Sequence, residues 1–246
     1  MDVYVLRRRA SAGAPANIDV IWPEYERWLK STFPRIAANL KPPATATQAA
    51  LAEIERILGV SLPAQLSALY RLTGGEPRFR EHAVSPIGHG VLFGARLMQA
   101  RDILEKVQAP RDWRPDGVDA DSEDDDFPNT LLEPTKLRAA GWHRLWVPFV
   151  DLAGGNYLAV DLAPAPGGSV GQIINVGRNQ DYRFVLADSI SELVALLHEI
   201  GAAGIFEIIE GDDGDELATA TVFGPTELSL TDQLRRWFFP EVLRGS

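Results

Sequence analysis

Apolar residues recur every three to four positions in the first third of this chain, then fall in short contiguous blocks, and prolines and glycines fence each stretch. This punctuation constrains the fold most, because a helical period and a strand pattern cannot share a segment. Over residues 18–40, Trp22, Tyr25, Trp28, Leu29, Phe33 and Ile36 form one helical face. Pro23 suits a first turn, and Pro34 ends or kinks the helix. Lys41-Pro42-Pro43-Ala44 reads as extended linker. Thr45 and Gln48 have capping-box spacing and predict a second helix, with Leu51, Ile54, Ile57 and Leu58 buried and Gly59 as its stop. Leu62-Pro63 opens a third, Pro63 taking the first helical position, and Gly74-Gly75 closes it.

Residues 76–99 mix turn residues with the short run Val91-Leu92-Phe93, and residues 100–107 predict a helix. Three strands follow at 144–151, 156–162 and 171–176, with a further candidate at 183–186. Asp188-Ser189-Ile190-Ser191-Glu192 caps a helix running to His198. Beyond residue 200, strands at 204–209 and 218–223 flank a Gly/Asp turn at 211–215, and a short helix over 229–239 ends at Pro240. Helices, then a run of antiparallel strands, then a closing helix argue for an α+β fold. The expected division is an N-terminal segment (1–17), a main domain (18–200) and a C-terminal hairpin-and-helix extension (201–246).

A chain of 246 residues that is 46% apolar can bury a sizeable core. It has no cysteine, which removes disulfides, thiolate metal sites and a cysteine nucleophile together. No apolar run approaches the roughly 18 residues of a membrane span. Arg7-Arg8-Arg9 is followed by small and polar residues instead of an apolar stretch, so the expectation is no export signal and a cytoplasmic protein. Net charge of −10 and a pI near 4.9 disfavour nucleic acid and anionic membranes as partners. The same charge would steer in a basic protein partner, although acidity also serves solubility alone.

The chemistry-bearing residues make no catalytic constellation, and neither a metal nor a cofactor is expected. His82, His89, His143 and His198 form no zincin or paired-ligand spacing. Residues 116–126 hold seven carboxylates in eleven positions. Asp119, Asp121, Glu123 and Asp125 loosely suggest a calcium loop, but Asp124 stands where the sharp turn needs glycine and Thr130 where a bidentate Glu belongs. The run reads as a solvated loop, or as a surface facing a cationic partner. Asp151 and Asp161 can be read as paired acids for glycoside chemistry, or as strand-end residues bonding turn amides. Trp237-Phe238-Phe239 reads as core packing over an exposed docking tip.

Two sets of residues resemble a known superfamily. The first is Leu40-Lys41-Pro42-Pro43-Ala44-Thr45, Glu53, Leu58-Gly59, Leu62-Pro63, Leu66, Leu69-Tyr70 and Gly74. The second is Trp146-Val147-Pro148-Phe149, Gly154-Gly155-Asn156-Tyr157-Leu158, Asp161 through Gly168, and Gly171-Gln172-Ile173-Ile174. Together they resemble the SUKH superfamily, which takes in fungal cell-wall-assembly and killer-toxin-resistance regulators and bacterial immunity proteins. The resemblance implies a mixed, mainly antiparallel sheet with packed helices, and binding of a protein partner by one sheet face and its loops. The leading expectation is a non-catalytic immunity protein holding a cognate toxin domain, plausibly a basic nuclease. The alternatives are a regulatory scaffold of the cell-wall type, or a hydrolase using Asp151, Asp161 or a histidine. The expected partner-binding residues are Asp119, Asp121, Glu123, Asp124, Asp125, Asp126, Asp151, Asn156 and Tyr157.

Overall fold

A computed structural model describes residues 17–78, 90–109, 130–210, 216–219 and 229–241. Helix α1 (Ile18–Thr32) begins at Asn17, whose side chain accepts the Asp19 N–H, and it buries Ile18, Trp22, Tyr25 and Leu29. Phe33 leaves the helical region, and Pro34 opens the single turn α2 (Pro34–Ala37), so the proline acts as the expected break. Helix α3 (Thr45–Leu58) ends at Gly59, which takes φ 71° and donates its N–H to Glu55 O. Its start differs from expectation: Ala44 is the N-cap, Thr45 is already helical, and no side chain caps the end. Helix α4 (Ala64–Leu72) takes Pro63 as its N-cap, so it starts one residue later than predicted.

The main sheet has five strands in the order β1-β3-β4-β5-β7, antiparallel throughout. They are β1 (Arg96–Leu97), β3 (Trp146–Asp151), β4 (Asn156–Asp161), β5 (Gln172–Gly177) and β7 (Val185–Ala187). Nearly every residue of β3, β4 and β5 is buried, so both faces of the sheet are covered, which explains why these strands read as apolar runs without alternation. Pro148 has no amide to give its interior strand, and the β3–β4 register shifts between Pro148 and Val150. Strand β1 was not expected. Residues 183–186 are split: Tyr182–Arg183 (β6) pairs in parallel with Thr130–Leu131 (β2), and only Val185–Ala187 joins the main sheet. The mixed, mainly antiparallel arrangement is as expected, but residues 144–186 do not all join one sheet, since Tyr182–Arg183 pairs outside it.

Helix α5 (Ala100–Gln108) packs on β3 and α3. Helix α6 (Ile190–Ala202) lies on β5 and β7 and against α1 and α4. Ser189 caps it by accepting the Glu192 N–H, and Glu192 reaches back to the Asp188 N–H, so the cap sits where the sequence placed it. The helix runs one turn past His198 because Ile200 remains a core residue. Strands β8 (Glu207–Glu210) and β9 (Glu216–Thr219) form an antiparallel hairpin whose turn lies outside the described residues. Helix α7 (Leu230–Phe238) is capped by Ser229 and buries Leu230, Leu234, Trp237 and Phe238 in the same core cluster as the sheet. Phe184 meets the rings of Phe238 and Phe239 edge-on at 6.3 and 5.7 Å, so the aromatic run is core packing.

Among the described residues no helix is long and apolar enough to cross a membrane.

Candidate functional site

The expected partner-binding residues divide into two groups. Asp119, Asp121, Glu123, Asp124, Asp125 and Asp126 lie outside the described residues. Asp151, Asn156 and Tyr157 come together at one corner, where the β3–β4 hairpin turns through Leu152-Ala153-Gly154-Gly155. Ala153, Gly154 and Gly155 all adopt positive φ, a run that needs small side chains. Asp151 Oδ1 accepts the Ala153 N–H at 2.9 Å, and Asn156 Nδ2 donates to Ala153 O at 3.3 Å. Asn156 Oδ1 also accepts the Asn179 N–H at 3.0 Å, tying this turn to the one after β5.

Tyr157 pairs with Asp151 across the ladder, and Lys106 Nζ stands 5.5 Å above its ring. Burial, then the charge of Asp151, pushes the Tyr157 hydroxyl up to about 12, while Arg96, Arg178 and Arg78 pull the other way. Cationic side chains from α5, β1 and the β5 turn thus converge around one tyrosine, on a chain of net charge −10.

Beneath this corner lies an ion network that sequence reasoning missed. Arg96 Nη1 donates to Asp102 Oδ2 at 2.7 Å, and Nη2 donates to Asp151 Oδ2 at 2.9 Å. Arg78 Nε stands 3.1 Å from Asp102 Oδ1, and its Nη2 reaches Glu105. Burial alone would lower the pKa of Arg96. Its bonds to Asp102 and Asp151 outweigh burial and hold the guanidinium above its ordinary value. Glu76 sits behind it with a carboxyl pushed up to about 8 by burial, against the bonds from Leu97 and Val91 and the charge of Arg96. The signal that could have found this cluster was an acid directly after Gly74-Gly75 and an arginine within an apolar stretch.

Asp151 and Asp161 serve turns. Asp161 Oδ1 accepts the Ala163 N–H at 2.9 Å, matching Asp151 and Ala153. Asp151 pairs with Tyr157 and Asp161 with Trp146, so they stand at opposite ends of one strand pair. Four residues of strand put them roughly 13 Å apart, beyond the ~9.5 Å limit for paired glycosidase acids. Burial raises the pKa of Asp161, and the Ala163 and Gln172 bonds oppose that shift. A second buried cation, Arg183, donates to Ala140 O and Gly141 O and lies 4.4 Å over the Trp146 ring. Burial pulls its pKa down to about 10, against the charge of Asp161.

Of the histidines, His143 accepts the Leu145 N–H at 3.2 Å and His198 meets the rings of Tyr25 and Trp28. His82 and His89 lie outside the described residues. Among the described residues no group of His, Asp and Glu is placed to hold a metal ion.

Comparison with known proteins agrees with this fold. The SMI1 / KNR4 family (SUKH-1) matches residues 45–196, more than half of the chain. The chain is 27% identical over 226 residues to the glucan synthesis regulatory protein of Neurospora crassa, covering 80% of this chain and 40% of that protein. It is 25% identical over 221 residues to the cell wall assembly regulator SMI1 of Saccharomyces cerevisiae, covering 78% and 42%. It is 24% identical over 254 residues to the cell wall biosynthesis/cell cycle regulator smi1 of Schizosaccharomyces pombe, covering 99% and 46%. The chain therefore spans less than half the length of these relatives. All three are fungal regulators, which overturns the expectation of a bacterial toxin-immunity protein and favours the regulatory alternative.

Proposed function

Since the chain belongs to the SMI1 / KNR4 family (SUKH-1), we propose that it is a regulatory protein-binding module that performs no catalysis of its own. The observation that carries this reading is the set of relatives named as regulators of wall synthesis and assembly, matched over roughly four-fifths or more of the chain. The use of its carboxylates supports it. Asp151, Asp161 and Asp102 are committed to turn amides or to Arg96.

In this reading the partner is a protein met in the cytoplasm, and the hairpin corner is the face that meets it. Asn156 ties this turn to the one after β5 above the buried Tyr157 ring, and the exposed Arg178 and half-buried Lys106 give the corner a polar rim of the kind that suits protein recognition. The acidic run Asp119, Asp121, Glu123, Asp124, Asp125 and Asp126 acts before contact, drawing in a basic surface and raising the association rate.

The test is capture of the tagged full chain with cross-linking in its own cells, then rebuilding of each stoichiometric complex from purified components. A complex of fixed stoichiometry by sedimentation velocity is the expected outcome. Turnover of a substrate by the purified chain, lost on Asp151→Asn, would contradict the reading.

A further inference from the structure

Helix α7 and the turn after β5 bound a small polar cavity. Its volume is about 130 Å³, and its walls include Asn179, Gln180 and Asp181 of the turn, Tyr182 of β6, and Asp232 and Arg235 of α7. Pockets for drug-sized apolar ligands start at about 300 Å³ and are lined mainly by hydrophobic side chains, so this one suits something smaller and more polar. The wall given by α7 lies beyond residue 196, where the family match ends. The turn's wall is fixed from behind by Asn175, which is 1% exposed. Its Nδ2 donates to Gln180 Oε1 and Tyr182 O, each at 2.6 Å, and its Oδ1 accepts the Phe184 N–H at 3.0 Å. The α7 wall is fixed by Ser229, which accepts the Asp232 N–H and donates its hydroxyl to Asp232 Oδ2 at 2.7 Å.

The groups lining the cavity have hydrogen bonds still to give and to take. Arg235 has a side chain only 14% exposed, and its guanidinium lies 4.5 Å over the Tyr182 ring. Its nearest carboxylate oxygen, on Asp232, is 3.9 Å away, beyond hydrogen-bond reach. Among the described residues this guanidinium, with its five donors, therefore makes no hydrogen bond. Gln180 is held through its Oε1, which leaves the two Nε2 donors, and the exposed Asp181 carboxylate has no partner among the described residues. Two carboxylates stand against one guanidinium in the lining. A phosphate or carboxylate ligand would meet both acids, and an ammonium would meet the arginine. An uncharged ligand whose polar groups each donate and accept satisfies both sets, and the hydroxyl is that group. Neighbouring hydroxyls on one ring also match the forked ends of carboxylate, carboxamide and guanidinium side chains.

We propose that the cavity between the β5 turn and α7 binds a single uncharged, hydroxyl-rich ring, either a free sugar or cyclic polyol or the end unit of an oligosaccharide. Arg235 and Gln180 donate to its hydroxyls, and Asp181 and Asp232 accept from them. Binding joins α7 to the sheet side of the molecule through the ligand, so it should also raise the melting temperature. The inference is independent of the partner reading, because the hairpin corner contributes none of these four side chains.

The test is an NMR titration of the nitrogen-15-labelled full chain with glucose, galactose, mannose, myo-inositol and maltotriose. Sodium acetate, sodium phosphate and guanidinium chloride serve as charged controls at matched ionic strength. The expected result is a saturable shift of the amides of residues 179–182 and 231–235 with at least one of the neutral rings, at a dissociation constant of about 10 mM or tighter. The charged controls should leave those amides in place. A response to a free ring marks a small-molecule site, and a response to maltotriose alone marks a chain-end site. Asp181→Ala should weaken binding at least about fivefold with the melting temperature of the free protein unchanged, and Arg235→Gln should abolish it. No shift with any ring up to about 50 mM, shifts of equal size with a charged control, or full affinity in Asp181→Ala would each overturn the proposal. If Arg235→Gln fails to fold, the ligand series and Asp181→Ala decide it.

Discussion

Arg96 and Asp151 stand opposite each other across the β1–β3 ladder and are joined by a 2.9 Å hydrogen bond, while Asp102 takes the other arm of the same guanidinium. One arginine thereby ties an edge strand, a central strand and the start of α5. Removing it by Arg96→Met leaves the buried Asp102 with its remaining partners at the surface only. Loss of one member of a buried ionic cluster costs about 3 to 5 kcal/mol, which urea unfolding would register. The double variant Arg96→Met, Asp102→Leu should lose less than the sum of the two single changes, because no buried charge is then stranded.

Two glycines with nearly the same φ should respond differently to alanine. Gly59 caps α3 at φ 71° with open space where a Cβ would go, so Gly59→Ala should cost about 1 to 2 kcal/mol of backbone strain. Gly75 has φ 75°, and a Cβ there would lie 2.4 Å from Met98 O, a backbone atom. Gly75→Ala should cost clearly more, and thermal melts of the two variants should separate by several degrees.

The C-terminal helix should be indispensable. Leu230, Leu234, Trp237 and Phe238 are each buried, and apolar side chains of this size contribute about 1.5 to 3 kcal/mol apiece. Their combined contribution is of the order of a whole domain's stability. A chain ending at residue 228 should therefore lack a cooperative unfolding transition by circular dichroism. A sharp transition near the full-length midpoint would contradict this.

The helical layer was legible because its signals are local. The face of α1, the break at Pro34, the stop at Gly59 and the cap at Ser189 each follow from residues within one or two turns. The central strands were legible as apolar blocks between glycines and prolines. What escaped depends on distant partners. Strand β1 is two residues long and exists through its pairing with β3, more than fifty positions away. Tyr182–Arg183 pairs with Thr130–Leu131 and not with the strand beside it, a choice no local pattern carries. The candidate corner was half legible. Asp151, Asn156 and Tyr157 were singled out, and they do converge, but Glu76, Arg96, Asp102 and Arg178 were not. Their role appears only when α5 and β1 close over the hairpin.

The proposed function has this chain binding a protein partner through the hairpin corner. Isothermal titration of the captured partner, against wild type and against Lys106→Ala, Arg178→Ala, tests it most directly. The melting temperature of each protein is measured alongside, so that loss of fold is told apart from loss of contact. Wild type should bind with a fixed stoichiometry, and the double variant at least about tenfold more weakly, a loss of about 1.4 kcal/mol or more. Equal affinity in a variant that melts like wild type, or no heat of binding with either protein, would contradict it.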